Sequence, residues 1–192
     1  MTRAGARDLT ISLPAWVDEV VDWERHYADD TERVGLAIAL SRENVERRTG
    51  GPFGAAVFDS VSGTLVGVGV NCVERLGNAA LHAEVVAIMF AQQRVGSFTL
   101  AGPGQPAREL VSSCEPCAMC LGATLWSGVG RLVCAASRAD AVALAFDEGP
   151  VFPESYAYLE QRGIRIDREI RRAEAAAVLR LYRDRGGLIY NR

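Results

Sequence analysis

Histidine is scarce in this sequence: the 192-residue chain has two, His26 and His82. Imidazole-dependent chemistry must therefore run through one of them. No apolar run approaches the roughly 18 residues a membrane helix needs, and the opening "MTRAGARDLTISLP" lacks the apolar centre of a secretory signal. Five cysteines, three crowded into "SSCEPCAMC", do not make a disulfide framework. A reduced, cytoplasmic setting is the expectation, and there clustered cysteine is more often metal-binding or catalytic than bridged. A net charge of −3 gives no bulk attraction to nucleic acid. No repeat, low-complexity tract or Pro/Gly/Ser linker divides the chain, and its length favours a single domain over residues 1–192.

Hydrophobic residues at 49% and charged residues at 23% are the balance of a globular protein. Residues 14–28, "PAWVDEVVDWERHYA", read as a short helix within an N-terminal extension, 1–28. "DDTERVGLAIALSRENVERR" reads as a stronger helix, with Asp29 and Glu32 spaced as a capping box and Gly50–Gly51 as its stop. "FGAAVFD" and "TLVGVGVN" around "SVSG" predict a β-hairpin. A helix over "HAEVVAIMFAQQRVG" and a strand at "ELVSS" follow, then a helix starting at Pro116, a strand at "RLVCAA" and a helix at "RADAVALAF". The C-terminal part, 151–192, adds helix, strand and helix. Strands alternating with helices after a hairpin argue an α/β layered fold with a partly parallel sheet.

The three clustered thiols separate by position. Pro116 at a helix start puts Cys117 and Cys120 on one face of the first turn, where the helix dipole favours thiolate, while Cys114 falls off that face. Two thiolates do not complete a zinc site. His26, within the charged "DWERHYADD", reads as a solvated surface residue, which leaves His82. One His and two Cys leave a coordination position open, the arrangement of catalytic rather than structural zinc. Zinc in such a site lowers the pKa of water to about 7, and Glu84 is the carboxylate at hand to move protons. A structural zinc, or merely buried thiols, is the plainer reading, but it leaves Glu84 unexplained. Cys114 reads as a lining residue without a ligand role, and Cys72 and Cys134 as core.

His82-Ala83-Glu84 followed by Pro116-Cys117-Ala118-Met119-Cys120 resembles the paired motif of zinc-dependent nucleobase deaminases. "GGPFGAAVFD", "HAEVVAI", "SCEPCAMCLGATLWSGV" and "AFDEG" narrow the resemblance to the bacterial guanine deaminase branch, from about Gly50 to the C-terminus. The resemblance implies a three-layer α/β/α cytidine deaminase-like fold around a mixed five-stranded sheet. It implies one Zn2+ per subunit on His82, Cys117 and Cys120, and a catalytic core over 29–150. A homodimer is implied too, with residues 151–192 exchanged in some relatives.

By the same resemblance Phe53 packs on the base, Asn71 reads its edge, Ala83 gives backbone contacts and Glu148 is a second carboxylate. Phe146 and Trp126 are candidate pocket walls, and Tyr190 closes the pocket from a neighbouring subunit. The implied reaction is hydrolytic release of ammonia from a free aminopurine, guanine first.

Other amino-heterocycles, such as oxidised or isomeric guanine, cytosine analogues and aminotriazines, are alternatives within the same chemistry. A tRNA adenosine deaminase is the rival, encouraged by eight arginines over residues 162–185 against four acids. A zinc-stabilised binding scaffold is the non-enzymatic reading.

Overall fold

The computed structural model describes residues 8–191. The N-terminal stretch is not one helix: only α1 (Val17–Val20) forms. The Asp22 carboxylate accepts from the Glu24 amide (3.1 Å), a local turn that competes with helix continuation. Trp16, Val17 and Val21 are nevertheless buried, and the Trp16 indole donates to Thr49 Oγ1 (3.0 Å). α2 (Asp30–Glu46) is capped by Asp29, whose carboxylate accepts from the Glu32 amide (2.9 Å). Glu32 reaches back to the Ala28 amide (3.0 Å) rather than to that of Asp29, so the box is offset by one residue.

β1 (Gly54–Asp59) and β2 (Leu65–Val70) form the expected hairpin. A one-turn helix that periodicity did not reveal, α3 (Val73–Leu76), leads to α4 (Ala83–Val95). β3 (Arg108–Cys114) follows, then α5 (Ala118–Ser127), which begins two residues after Pro116 with Cys117 as its N-cap. β4 (Arg131–Ala136), α6 (Arg138–Val142), α7 (Pro153–Gln161), β5 (Arg165–Asp167) and α8 (Arg172–Asp184) complete the chain.

The sheet runs β2-β1-β3-β4-β5, antiparallel across its first three strands and parallel from β3 onward. Its central strands are buried on both faces, so helices cover both. Ala56, Phe58, Val68, Val111 and Val133 pack with Val34 and Leu40 of α2 and Val178 of α8. Their neighbours Ala55, Val57, Leu110 and Leu132 pack with Ala87 of α4, Leu121 of α5 and Leu159 of α7. This is the three-layer arrangement. Among the described residues no helix is long and apolar enough to cross a membrane.

Register decides where side chains converge. Gly54 pairs with Val70, Ala55 with Ser112 and Cys114 with Ala136. Phe53, Asn71 and Glu115, each one residue beyond its strand, therefore project past the same edge of the sheet, the row of strand ends formed by the start of β1 and the ends of β2 and β3. α4 reaches that edge because β2 is thinned by glycine. A Cβ on Gly69 would lie 2.1 Å from the Ala83 carbonyl oxygen, a contact that only a glycine permits.

The opposite edge carries a buried ion-pair network. Glu109, fully buried, lies 2.6 Å from Arg33 and 2.9 Å from Arg131, and Arg131 also meets Asp30 (2.6 Å) and Asp167 (2.7 Å).

Candidate active site

Two helix starts meet at the first edge. His82 caps α4 and Cys117 caps α5, both with extended backbone, and Cys120 lies one turn into α5. His82 Nδ1 stands 3.5 Å from Cys117 Sγ and 3.6 Å from Cys120 Sγ, with all three donor atoms within 4.8 Å of one another. Zinc bonds of about 2.3 Å to sulfur and 2.0–2.1 Å to nitrogen, at tetrahedral angles, space such donors about 3.5 Å apart. The donor set therefore fits zinc, and its His/Cys/Cys composition leaves a fourth position for water or substrate.

The protonation of these groups is mutually determined. Cys117 has its pKa lowered to about 4, first by the hydrogen bond with Cys120 and, against burial, by His82. The Cys120 thiol is pushed well up by its Cys117 neighbour and by burial. Burial disfavours the His82 cation, but Cys117 and Glu84 outweigh it and raise the pKa. Zinc takes both sulfurs deprotonated and the imidazole neutral, so its binding displaces protons from this trio.

Two carboxylates flank the donors, and among the described residues neither makes a salt bridge. Glu84, in the first turn of α4, is buried with Oε2 3.4 Å from Cys120 Sγ, and burial raises its pKa. Glu148 is buried too, its pKa pushed up to about 8 by burial and then by the negative charges of Cys117 and Glu84. Its backbone carbonyl accepts from the Ala118 amide (2.9 Å), tying the Glu148 loop to the first turn of α5.

Asn71 is fully buried and held by its neighbours: Oδ1 accepts from the Val73 amide (3.3 Å) and the Gly51 amide (3.4 Å). Its Nδ2 donates to the Tyr190 hydroxyl at 2.7 Å. Phe53 lines the pocket with His82, Glu84, Cys117, Glu148 and Tyr190. Ala83 is buried against β2.

Two expectations change, and Tyr190 joins the pocket lining. Trp126 is 78% exposed on α5 and lines no part of this pocket, because it lies on the face of α5 turned away from the core. Phe146 is not a lining residue but a backing layer, its ring centroid 5.1 Å from Phe53 and 5.3 Å from Tyr190. Tyr190 enters the pocket of its own chain, since Gly186 turns the backbone back after α8 (φ 71°). Together with Asn191 it leaves only about 10 Å³ free, close to a single water-sized sphere.

Two lining residues escaped the sequence reading, Glu115 and Asn191. Glu115 sits inside the "CEPC" motif, where a carboxylate between two cysteines was a usable signal. Its Oε2 accepts from the Arg138 amide (2.8 Å). Asn191 had no local signal; it clamps Asp147, donating Nδ2 to that carbonyl (2.6 Å) and accepting the Asp147 amide on its own carbonyl (2.9 Å). Cys114 stays apart from the donor set, buried with Sγ 3.7 Å from the Ser137 carbonyl. His26 is exposed, with Nδ1 near the Ser62 carbonyl (3.2 Å).

Residues 28–136, more than half of the chain, match the family described as the cytidine and deoxycytidylate deaminase zinc-binding region. A guanine deaminase of Bacillus subtilis is 35% identical over 67% of this chain and 78% of its own length. The solved guanine deaminase from Nitrosomonas europaea shares 41% identity over 92% of this chain and 97% of that one, with a TM-score of 0.88. The protein NE0047, solved with 2,6-diaminopurine, shares 42% identity over 95% of this chain and 96% of that one, with a TM-score of 0.89. With the paired motif, the donor geometry and the layered sheet all in agreement, the chain belongs to the cytidine deaminase-like family of zinc-dependent deaminases, alongside the bacterial guanine deaminases.

Proposed function

We propose that the protein hydrolyses a free aminopurine base, guanine to xanthine, with release of ammonia. The observation that carries this reading is the pairing of a His/Cys/Cys zinc site with two buried carboxylates that make no salt bridge among the described residues and whose pKa values are raised by burial. The relatives support the choice of ring: guanine deaminases of two bacteria are similar to this chain, and similar structures hold 8-azaguanine and 2,6-diaminopurine.

Zinc bound by His82, Cys117 and Cys120 supplies the Lewis acidity that makes a water molecule a nucleophile near neutral pH. The remaining work falls to the protein. Glu84 accepts one proton of the attacking water at its carboxylate and passes it to a ring nitrogen as the C–O bond forms. It then takes the remaining hydroxyl proton and delivers it to the amine, so that the ring carbon becomes a carbonyl as ammonia leaves. Glu148, buried in the same pocket, is placed to hydrogen-bond the purine and the leaving amine. Phe53 stacks against the ring, and Asn71, locked by Gly51 and Val73, reads its edge. The base takes the space of Tyr190, so the tail lifts on entry and its hydrogen bond to Asn71 passes to the substrate.

The arginine-rich C-terminus does not favour an RNA substrate. Arg165, Arg168, Arg171, Arg172 and Arg183 each pair with a carboxylate, which removes most of the basic footprint. The same proposal includes a homodimer. Met119 and Trp126 of α5 and Met89 of α4 are exposed apolar side chains that a second copy would cover. α8 packs on α2 and β4 of its own chain.

Ammonia release measured over guanine, isoguanine, oxidised guanine, cytosine, adenine and aminotriazines tests the reading. Guanine is expected to have the highest kcat/KM; a higher value for another ring would reassign the substrate, and no turnover with any of them would remove the proposal.

A further inference from the structure

A second concavity lies away from the zinc pocket. A cleft of about 540 Å³ opens between the end of α2, α3 and the root of the C-terminal tail, with Arg48, Arg75, Glu74, Tyr182, Arg185 and Leu188 on its walls. It lies behind Asn71 and Tyr190, and nothing in the deamination chemistry uses it.

The charge pattern of the cleft is unusual for this molecule. The chain contains no lysine; all 21 basic residues are arginine. Elsewhere those guanidiniums are largely spent on carboxylates, as at Arg33, Arg131, Arg171 and Arg172. Among the described residues, none of the three arginines of the cleft has a carboxylate within 4.0 Å. Arg185 donates only to the Glu46 carbonyl (3.2 Å). Arg75 donates to the Ser12 carbonyl and weakly to Cys72 Sγ (3.6 Å), leaving its buried Nε without a partner. Arg48 stands in a left-handed conformation (φ 56°) at the end of α2, exposed, and its side chain makes no hydrogen bond among the described residues.

The acid of the cleft, Glu74, does not neutralise them. It accepts from the Tyr182 hydroxyl (3.1 Å), which it shares with the Leu188 carbonyl (2.7 Å). Apart from Thr49 the rest of the wall is apolar or glycine backbone. Gly187 lies flat on the Tyr182 ring, where a Cβ would come within 2.3 Å.

Guanidinium forks match phosphate oxygens in pairs and stay charged at any physiological pH. The volume is within the roughly 300–1,000 Å³ of small-ligand sites and exceeds what a bare oxyanion fills. The floor from Val45, Tyr182 and Leu188 suits a flat or apolar group beside the anion. A concave cleft with clustered cations also differs from the long basic track that a nucleic-acid backbone requires. We propose that this cleft binds a nucleoside phosphate, held at its phosphate by Arg48 and Arg185 with Arg75 behind them.

Calorimetric titration of the zinc-loaded full chain tests this without any turnover, so its outcome is independent of which base is deaminated. Uridine monophosphate is the probe because its ring carries no amine to deaminate; uridine, pyrophosphate and a hexauridylate are the comparisons. One site per chain is expected for uridine monophosphate, with pyrophosphate weaker and uridine silent. The pair Arg48→Ala and Arg185→Ala should weaken binding by about tenfold or more, the effect of losing charge-assisted hydrogen bonds. Zinc content and base turnover should stay at the unsubstituted level. Silence of uridine monophosphate at millimolar concentration, or binding that survives the double substitution, would overturn the proposal. So would hexauridylate binding far more tightly than the monophosphate, which would mark an RNA surface instead.

Discussion

The two edges of the sheet treat buried carboxylates in opposite ways. At one edge Glu109 is fully buried between Arg33 and Arg131, each within 2.9 Å, so its charge is compensated twice. At the other, Glu84 and Glu148 are almost as buried but make no salt bridge among the described residues, and the negative charge of Cys117 acts on both more strongly than the His82 cation does. Burial alone therefore does not mark function in this protein. Burial without compensation does, because it leaves a carboxyl with a pKa near the working pH and a proton to exchange. Among the described residues, Glu84 and Glu148 are such groups, and both lie where His82, Cys117 and Cys120 gather.

That contrast predicts opposite outcomes for equivalent substitutions. Glu84→Gln keeps shape and burial but removes the proton carrier. It should retain zinc and folded stability while kcat falls by about a thousandfold, within the range for a general acid–base group. Metal analysis and single-turnover ammonia release check this, and near-normal turnover would remove Glu84 from the mechanism. Glu109→Gln should do the reverse. It leaves the buried Arg33 without a carboxylate and Arg131 with only Asp30 and Asp167, a loss of about 3–5 kcal/mol for a broken buried pair, while kcat of the protein that remains folded stays within a few-fold. Urea unfolding beside kcat per folded zinc site separates the two readings.

The same contrast explains what could be read before the fold was known. His82 with Glu84, and Cys117 with Cys120, were legible because each pair is local and sits at a helix start, where spacing alone puts side chains together. The Glu109 network was not legible. Its partners lie 76 and 22 residues away, and Arg131 meets Asp30 across 101. Only strand order creates such meetings. Trp126 went wrong for a related reason: α5 is apolar on both faces, so its sequence does not say which face turns inward. Tyr190 could be assigned to the pocket, but the route from its own chain depends on the turn at Gly186.

A smaller effect tests the uncompensated edge through pH. Glu148 titrates near 8 in the fold against an ordinary value of 4.5, raised first by burial and then by Cys117 and Glu84. A raised carboxyl pKa means the folded state binds the proton more tightly than the unfolded chain. Its contribution to stability is present below about 4.5 and is lost as pH rises through about 8. Chelated protein should therefore lose stability over that window, and Glu148→Gln should flatten the slope. Zinc binding should also flatten it, because the cation offsets the neighbouring negative charges. Thermal melts from pH 5 to about 8.5, with and without zinc, check this. An unchanged slope in the variant would show that Glu148 is not the titrating group.

The smallest expected effect concerns what covers the uncompensated edge. Tyr190 fills the pocket, and its hydroxyl receives the Asn71 amide at 2.7 Å. If the tail and the base compete for Asn71, every increment of tail docking raises the apparent KM and leaves the chemical step untouched. Tyr190→Phe removes the hydrogen bond but keeps the ring against Phe146, a loss of about 1 kcal/mol, or roughly fivefold in the docking equilibrium. Steady-state kinetics should show KM lowered by up to that factor with kcat little changed. A raised KM would mean that the hydroxyl contacts the bound base, and a fall in kcat alone would mean that it acts in the chemistry. Either result would move Tyr190 from the cover of the site into the site itself, so the direction of the change matters more than its size.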